Sequence, residues 1–176
     1  MPPRILRLSF VLWWVVTLLL PGLPLLVLLW GWHGVREPGW LLTAFPGLPP
    51  ETRLTAGKSS GTLALGLLAL GPMLAALWHM RGLFALYAAS EVLTPMAARR
   101  IRAIGVALAL LAVAQTVLPG LQLLLLTADN PPGARIVSIA LTSEMLWLAL
   151  AGGLLVTIGW AMTEAARVAE ENRGFV

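Results

Sequence analysis

Four stretches of the chain, Leu8–Trp30, Gly61–Met80, Ala103–Ala128 and Met145–Thr163, contain no Asp, Glu, Lys or Arg. The first spans 23 residues, and at about 1.5 Å per residue a helix of that length crosses a hydrocarbon core of about 30 Å. The pattern predicts an all-α membrane protein with four transmembrane helices, over 8–30, 61–80, 101–126 and 144–163. Loops 31–60, 81–100 and 127–143 join them into two hairpins, and a tail, 164–176, follows. Both termini then lie on one side of the bilayer. The first run is longer than the roughly 7–15 apolar residues of a signal peptide, and no small-x-small cleavage site follows it. It is therefore read as a retained span.

Local chemistry refines the ends of these helices. Thr94 followed by Pro95 reads as an N-cap and a first helical residue, so the third helix starts ahead of its arginines. On the other side of that loop, "RGLFALYAAS" is helix-prone and either continues the second span or lies in the interface, with the turn near Ser90–Leu93. Ser143 is the expected N-cap of the fourth helix, with Glu144 in its first turn complementing the helix dipole. Along that helix Ala149, Gly153, Thr157 and Ala161 recur every four residues, followed by Ala165 and Ala169. A face of small side chains lets helix backbones approach, so this is the candidate packing face.

Pro21 and Pro119 lack a backbone donor and free the carbonyls of Thr17 and Gln115, which predicts a kink at each. Thr17, Gln115 and Thr116 are the polar groups placed to satisfy them. The prolines lie in similar stretches, "LPGLPLLVL" and "LPGLQLLLL", which suggests a duplicated hairpin. Outside the membrane, Trp32 and Trp40 suit the headgroup zone. "ARIVSIAL" at 134–141 has strand character, and "ETRLTAG" at 51–57 is its candidate partner.

Composition agrees with a membrane protein. The chain is 59% hydrophobic and 11% charged, against about 25% charged in soluble domains. Cysteine is absent, which excludes disulfides and thiolate chemistry. Charge supplies the orientation. Arg4, Arg7, Arg81, Arg99, Arg100, Arg102, Arg167 and Arg173 fall on the side of the termini, and Arg36, Arg53, Lys58 and Arg135 on the other. The excess of arginine puts the termini on the cytoplasmic side of the membrane.

Candidate chemistry is sparse. His33, His79, Gln115, Gln122, Asp129 and Glu144 form no recognisable catalytic or metal motif, and the two histidines fall on opposite sides of the membrane. "AGKSSG" at 56–61 lacks the upstream glycine of a phosphate loop. No enzyme activity, cofactor or metal is expected. The arginines at 99, 100 and 102, with Glu91, suit membrane orientation, anionic lipid and a cytoplasmic protein partner. They are too few, and lack a base-reading element, for direct binding of nucleic acid.

"SEVLTPMAARRIRAIG", residues 90–105, resembles the cytoplasmic signature of the bacterial membrane family called domain of unknown function 2975, roughly Gly-Glu-x-Phe-Thr followed by Arg-Leu-Arg-x-Ile-Gly. Glu91, Thr94, Arg100, Arg102, Ile104 and Gly105 match it, and Ile101 stands in for the leucine. Ser90 replaces the usual glycine, Leu93 replaces the phenylalanine, and no asparagine lies between Thr94 and Arg99. The tail "ARVAEENRGFV" is similar to the family's ending at Ala166, Arg167, Glu170, Glu171 and Val176. The resemblance implies a four-helix inner-membrane protein without established activity, often encoded beside a small helix-turn-helix regulator. The expected role is as membrane partner or sensor for such a regulator. The alternative is a small transporter or pore assembled as a homo-oligomer.

Overall fold

The helices run past the apolar stretches that suggest them, because charged residues such as Arg and Glu are good helix formers and do not end a helix. In the computed structural model, which describes residues 3–92 and 94–173 and the side chains of 6–92 and 94–168, α1 covers Pro3–Arg36. A 3-10 turn over Pro38–Trp40 and a short α2, Leu41–Ala44, lead to α3, Ala56–Ala88. Then come α4, Pro95–Thr127, and α5, Ser143–Arg173. The four long helices are all long and apolar enough to cross a membrane, and no strand occurs among the described residues. Leu93, Val176 and the side chains of Arg4, Ala169, Glu170, Glu171 and Arg173, which the sequence also singles out, lie outside the described residues.

Three expectations about connections are corrected. First, the loop expected over 31–60 is largely helical, because Thr55 caps α3 ahead of Gly61, and within 81–100 the open alternatives resolve to helix, α3 continuing to Ala88 and α4 starting at the expected Thr94–Pro95 cap: the Thr55 and Thr94 hydroxyls accept from Lys58 N and Ala97 N, at 3.3 and 3.2 Å. Between them α3 ends in a Schellman turn, with Ser90 at φ 65° and Glu91 N donating to the Leu86 carbonyl at 2.9 Å. Second, 134–141 forms no strand with 51–57. Its backbone is taken up by α4: Ile136 N donates to Thr127 Oγ1 at 3.1 Å, and the Ser138 carbonyl packs into the space that a Cβ on Gly120 would fill. Third, the hydroxyl that bonds the first turn of α5 is Thr142, which accepts from Met145 N at 3.4 Å, one residue before the expected Ser143.

The long helices pack as a sequence of neighbours, α1 on α3, α3 on α4 and α4 on α5. The share of the most apolar window that is buried, 33% in α4 against 6% in α1 and 11% in α5, follows from that order. Between α3 and α4 the core is Leu83, Ala97, Ile101 and Ile104. Between α4 and α5 the backbones touch: a Cβ on Gly105 would lie 2.5 Å from the Gly152 carbonyl, and one on Gly159 would lie 2.9 Å from the Ala98 carbonyl. The in-chain seam is therefore Gly152 and Gly159. Ala149, Gly153, Thr157 and Ala161 lie on the exposed side of α5, and a Cβ on Gly153 would meet nothing within 4 Å.

The helices continue unbroken through Pro21, Pro24, Pro72 and Pro119. Thr17 and Thr116 do not turn to the carbonyls that Pro21 and Pro119 free. They donate instead to Trp13 O at 2.7 Å and Ala112 O at 2.8 Å, one turn back.

Candidate functional site

Phase, set by packing, sorts the arginines at the start of α4. Ala97, Ala98, Ile101, Ile104 and Gly105 are buried at the three- and four-residue spacing of one helix face. Arg99 and Arg102 consequently project outward and are exposed. They make no hydrogen bond or ion pair among the described residues. Arg100 is different. Its guanidinium lies over Gly82, where a Cβ would come within 3.0 Å, and its NH1 is 3.2 Å from His79 Nδ1. A guanidinium only donates, so Nδ1 accepts and the ring proton sits on Nε2. Glu91 is exposed in the Schellman turn that ends α3. The structure thus splits the cluster into one structural arginine and two available ones.

Arg81 joins α1 to α3 near the same end. Its Nε donates to Thr17 Oγ1 at 3.0 Å, and its guanidinium carbon stands 5.0 Å from the Trp13 ring centroid and 5.7 Å from that of Trp78. Cation–π contact and the hydrogen bond together satisfy a charge that the sequence shows only as a topology signal. On α5, Arg167 pairs with Glu164 through Nε–Oε2 at 3.1 Å and NH2–Oε1 at 2.5 Å.

The far end of α3 and α4 carries a polar knot. Lys58, in the first turn of α3, is buried, with Nζ 2.7 Å from the Leu126 carbonyl oxygen and 3.2 Å from Asp129 Oδ2. A cation there meets the negative end of α4 and one of its unpaired carbonyls. Asn130, also buried, donates to Thr52 Oγ1 at 2.9 Å and the Ala134 carbonyl at 3.1 Å, and its own carbonyl accepts from Arg135 Nε at 3.2 Å. Neither Lys58 nor Asn130 stands out in the sequence, since their partners lie in another helix or loop. Gln122, a sequence candidate, donates to the Thr62 carbonyl at 3.1 Å and ties the same pair together.

Near this knot, a cavity of about 370 Å³ is lined by Trp30, Trp40, Phe45, Thr62, Leu63 and Gln122 among others, with no charged side chain in its wall. Trp40 Nε1 and Thr62 Oγ1 are buried without a hydrogen-bond partner among the described residues. His33 lies outside, edge-on to Trp40 at 5.0 Å and 3.7 Å from the Glu37 carboxylate. Gln115 and Glu144 are exposed and join no cluster. Among the described residues no three metal-ligating side chains come together. No family model, curated protein or solved structure matches the chain.

Proposed function

We propose that the chain is a multi-pass protein of the bacterial inner membrane, built as two hairpins with both termini in the cytoplasm, that acts by holding a cytoplasmic partner. The partner class is the small helix-turn-helix regulator that the resemblance to domain of unknown function 2975 implies. One observation carries the reading: Arg99 and Arg102 are exposed and unpaired among the described residues, and Arg102 stands against α5, where Gly159 meets Ala98 and Arg102. From there α5 continues past Thr163, where its uncharged run ends, with the Glu164–Arg167 pair on its surface. Two cations and a projecting helix form one polar surface at this end, and the rest of the long helices is mainly apolar.

A pull-down in gentle detergent from cells at native abundance tests it, comparing wild type with Arg99→Ala/Arg102→Ala and with Arg100→Ala after equal insertion is verified. The reading expects a near-stoichiometric cytoplasmic protein that is lost from the double variant. Recovery of the protein with lipid alone from every sample contradicts it. A second reading, self-association into a transporter or pore, is favoured by the exposed small-residue face of α5 at Ala149, Gly153, Thr157 and Ala161. Solute flux in proteoliposomes separates the two.

A further inference from the structure

Arg99 and Arg102 stand at the polar end of a groove between α3 and α4, of about 340 Å³, that also takes in His79. Its other wall is hydrocarbon, running through Val106 and Leu110 to Pro72. From Arg99 to Leu110 the groove follows three turns of α4, roughly 16 Å at 1.5 Å per residue. Both helices are long and apolar enough to cross a membrane, so the groove opens towards lipid with its cations at one end.

The polar end is built to donate. His79 Nδ1 is occupied by Arg100 at 3.2 Å, which leaves Nε2–H as the ring's remaining donor. No acidic side chain lines the groove, and neither Arg99 nor Arg102 has a partner among the described residues. Guanidinium groups match phosphate oxygens in charge and in donor geometry. A ligand with a phosphate at one end and a hydrocarbon chain at the other complements both ends of the groove, whereas inorganic phosphate uses only one.

We propose that this groove binds one anionic phospholipid, its phosphate held by Arg99, Arg102 and His79 and an acyl chain laid along Val106 and Leu110. The assignment rests on insertion of α3 and α4 in a membrane and is independent of any regulator. Where both ligands exist, headgroup and protein partner compete for the same two arginines.

Native mass spectrometry of the purified full-length protein in neutral detergent, titrated with phosphatidylglycerol, phosphatidylcholine or inorganic phosphate, tests the site. One phosphatidylglycerol is expected to bind about tenfold more tightly than phosphatidylcholine, equivalent to about 1.4 kcal/mol. Arg99→Ala/Arg102→Ala should abolish that preference and Arg99→Lys/Arg102→Lys should keep most of it. Ala103→Leu, which narrows the groove without touching charge, should weaken both lipids. Equal binding of the two lipids by wild type overturns the proposal, as does a preference that survives loss of both arginines. Complete displacement of the lipid by millimolar inorganic phosphate also overturns it, because the apolar wall would then contribute nothing. The lysine and Ala103 variants keep the test decisive if the double alanine variant fails to fold.

Discussion

At one end of the α3–α4 pair, Lys58 is buried with its ammonium 2.7 Å from the Leu126 carbonyl and 3.2 Å from Asp129; at the other, Arg99 and Arg102 are exposed and bonded to nothing among the described residues. Residues of the same sign, on the same two helices, do different work. Lys58 satisfies a carbonyl that the end of α4 leaves without an intrahelical donor, so its charge is consumed by the fold. Arg100 behaves like Lys58, being taken up by His79 and packed over Gly82. Arg99 and Arg102 differ because the buried face of α4 turns them outward, and neither is paired with a carboxylate among the described residues. A cation whose bonds are all internal reports stability, and one with none is available to a ligand.

The contrast can be broken or sharpened by substitution, and the largest effect is expected at the seam that holds both ends against α5. Gly105→Val places a side chain where the Gly152 carbonyl would be 2.5 Å from its Cβ and Val156 N 2.7 Å. Backbone obstacles cannot rotate away, so a loss of about 3 kcal/mol is expected, at the upper end of ordinary overpacking. The apparent unfolding midpoint in detergent should fall sharply. Lys58→Met comes next. It leaves the Leu126 carbonyl without its donor and Asp129 without its cation, and should cost about 2 kcal/mol. Asn130→Ala should cost a similar amount by freeing Thr52 and the Ala134 carbonyl together, while the Arg135 bond to the backbone carbonyl of residue 130 is kept, measured in the same denaturation series.

Ser90→Gly should act in the opposite direction. Ser90 holds φ 65°, a region that costs an L-residue roughly 1 kcal/mol and glycine almost nothing. A rise in midpoint equivalent to about 1 kcal/mol is expected. Arg99→Ala/Arg102→Ala should change stability least, by under about 0.5 kcal/mol, as for surface positions without partners. A large destabilisation in that variant would erase the contrast between the two ends.

The spans were legible in the sequence because an uncharged run of about twenty residues has few other uses in a folded chain. Thr94 as the cap of α4 was legible for a similar reason: the hydroxyl and the following proline act within three residues of each other. What could not be read depends on contacts between distant residues. Lys58 and the Leu126 carbonyl are 68 positions apart, and Asn130 and Thr52 are 78 apart. The division of Arg100 from Arg99 and Arg102 needs the rotational phase of α4, which α3 supplies through Leu83 and Ile101. The ladder from Ala149 reads as a packing face without showing which chain it meets; the in-chain seam lies instead at Gly152 and Gly159, seven apart, where glycine permits a closer approach than alanine. For 134–141, β-branched composition suggested a strand. The Thr127 hydroxyl and the gap at Gly120 offered its backbone another place to lie.

Absence of cysteine makes the central claim, that the two polar ends face opposite sides of the membrane with the arginines inside, directly measurable. Single-cysteine variants Glu51→Cys and Glu91→Cys, both at exposed positions, would be treated in whole cells with a membrane-impermeant maleimide that crosses the outer membrane but not the inner one. Glu51→Cys should be labelled in intact cells, and Glu91→Cys only after the inner membrane is permeabilised. The reverse pattern, or equal labelling of both in intact cells, would contradict the account.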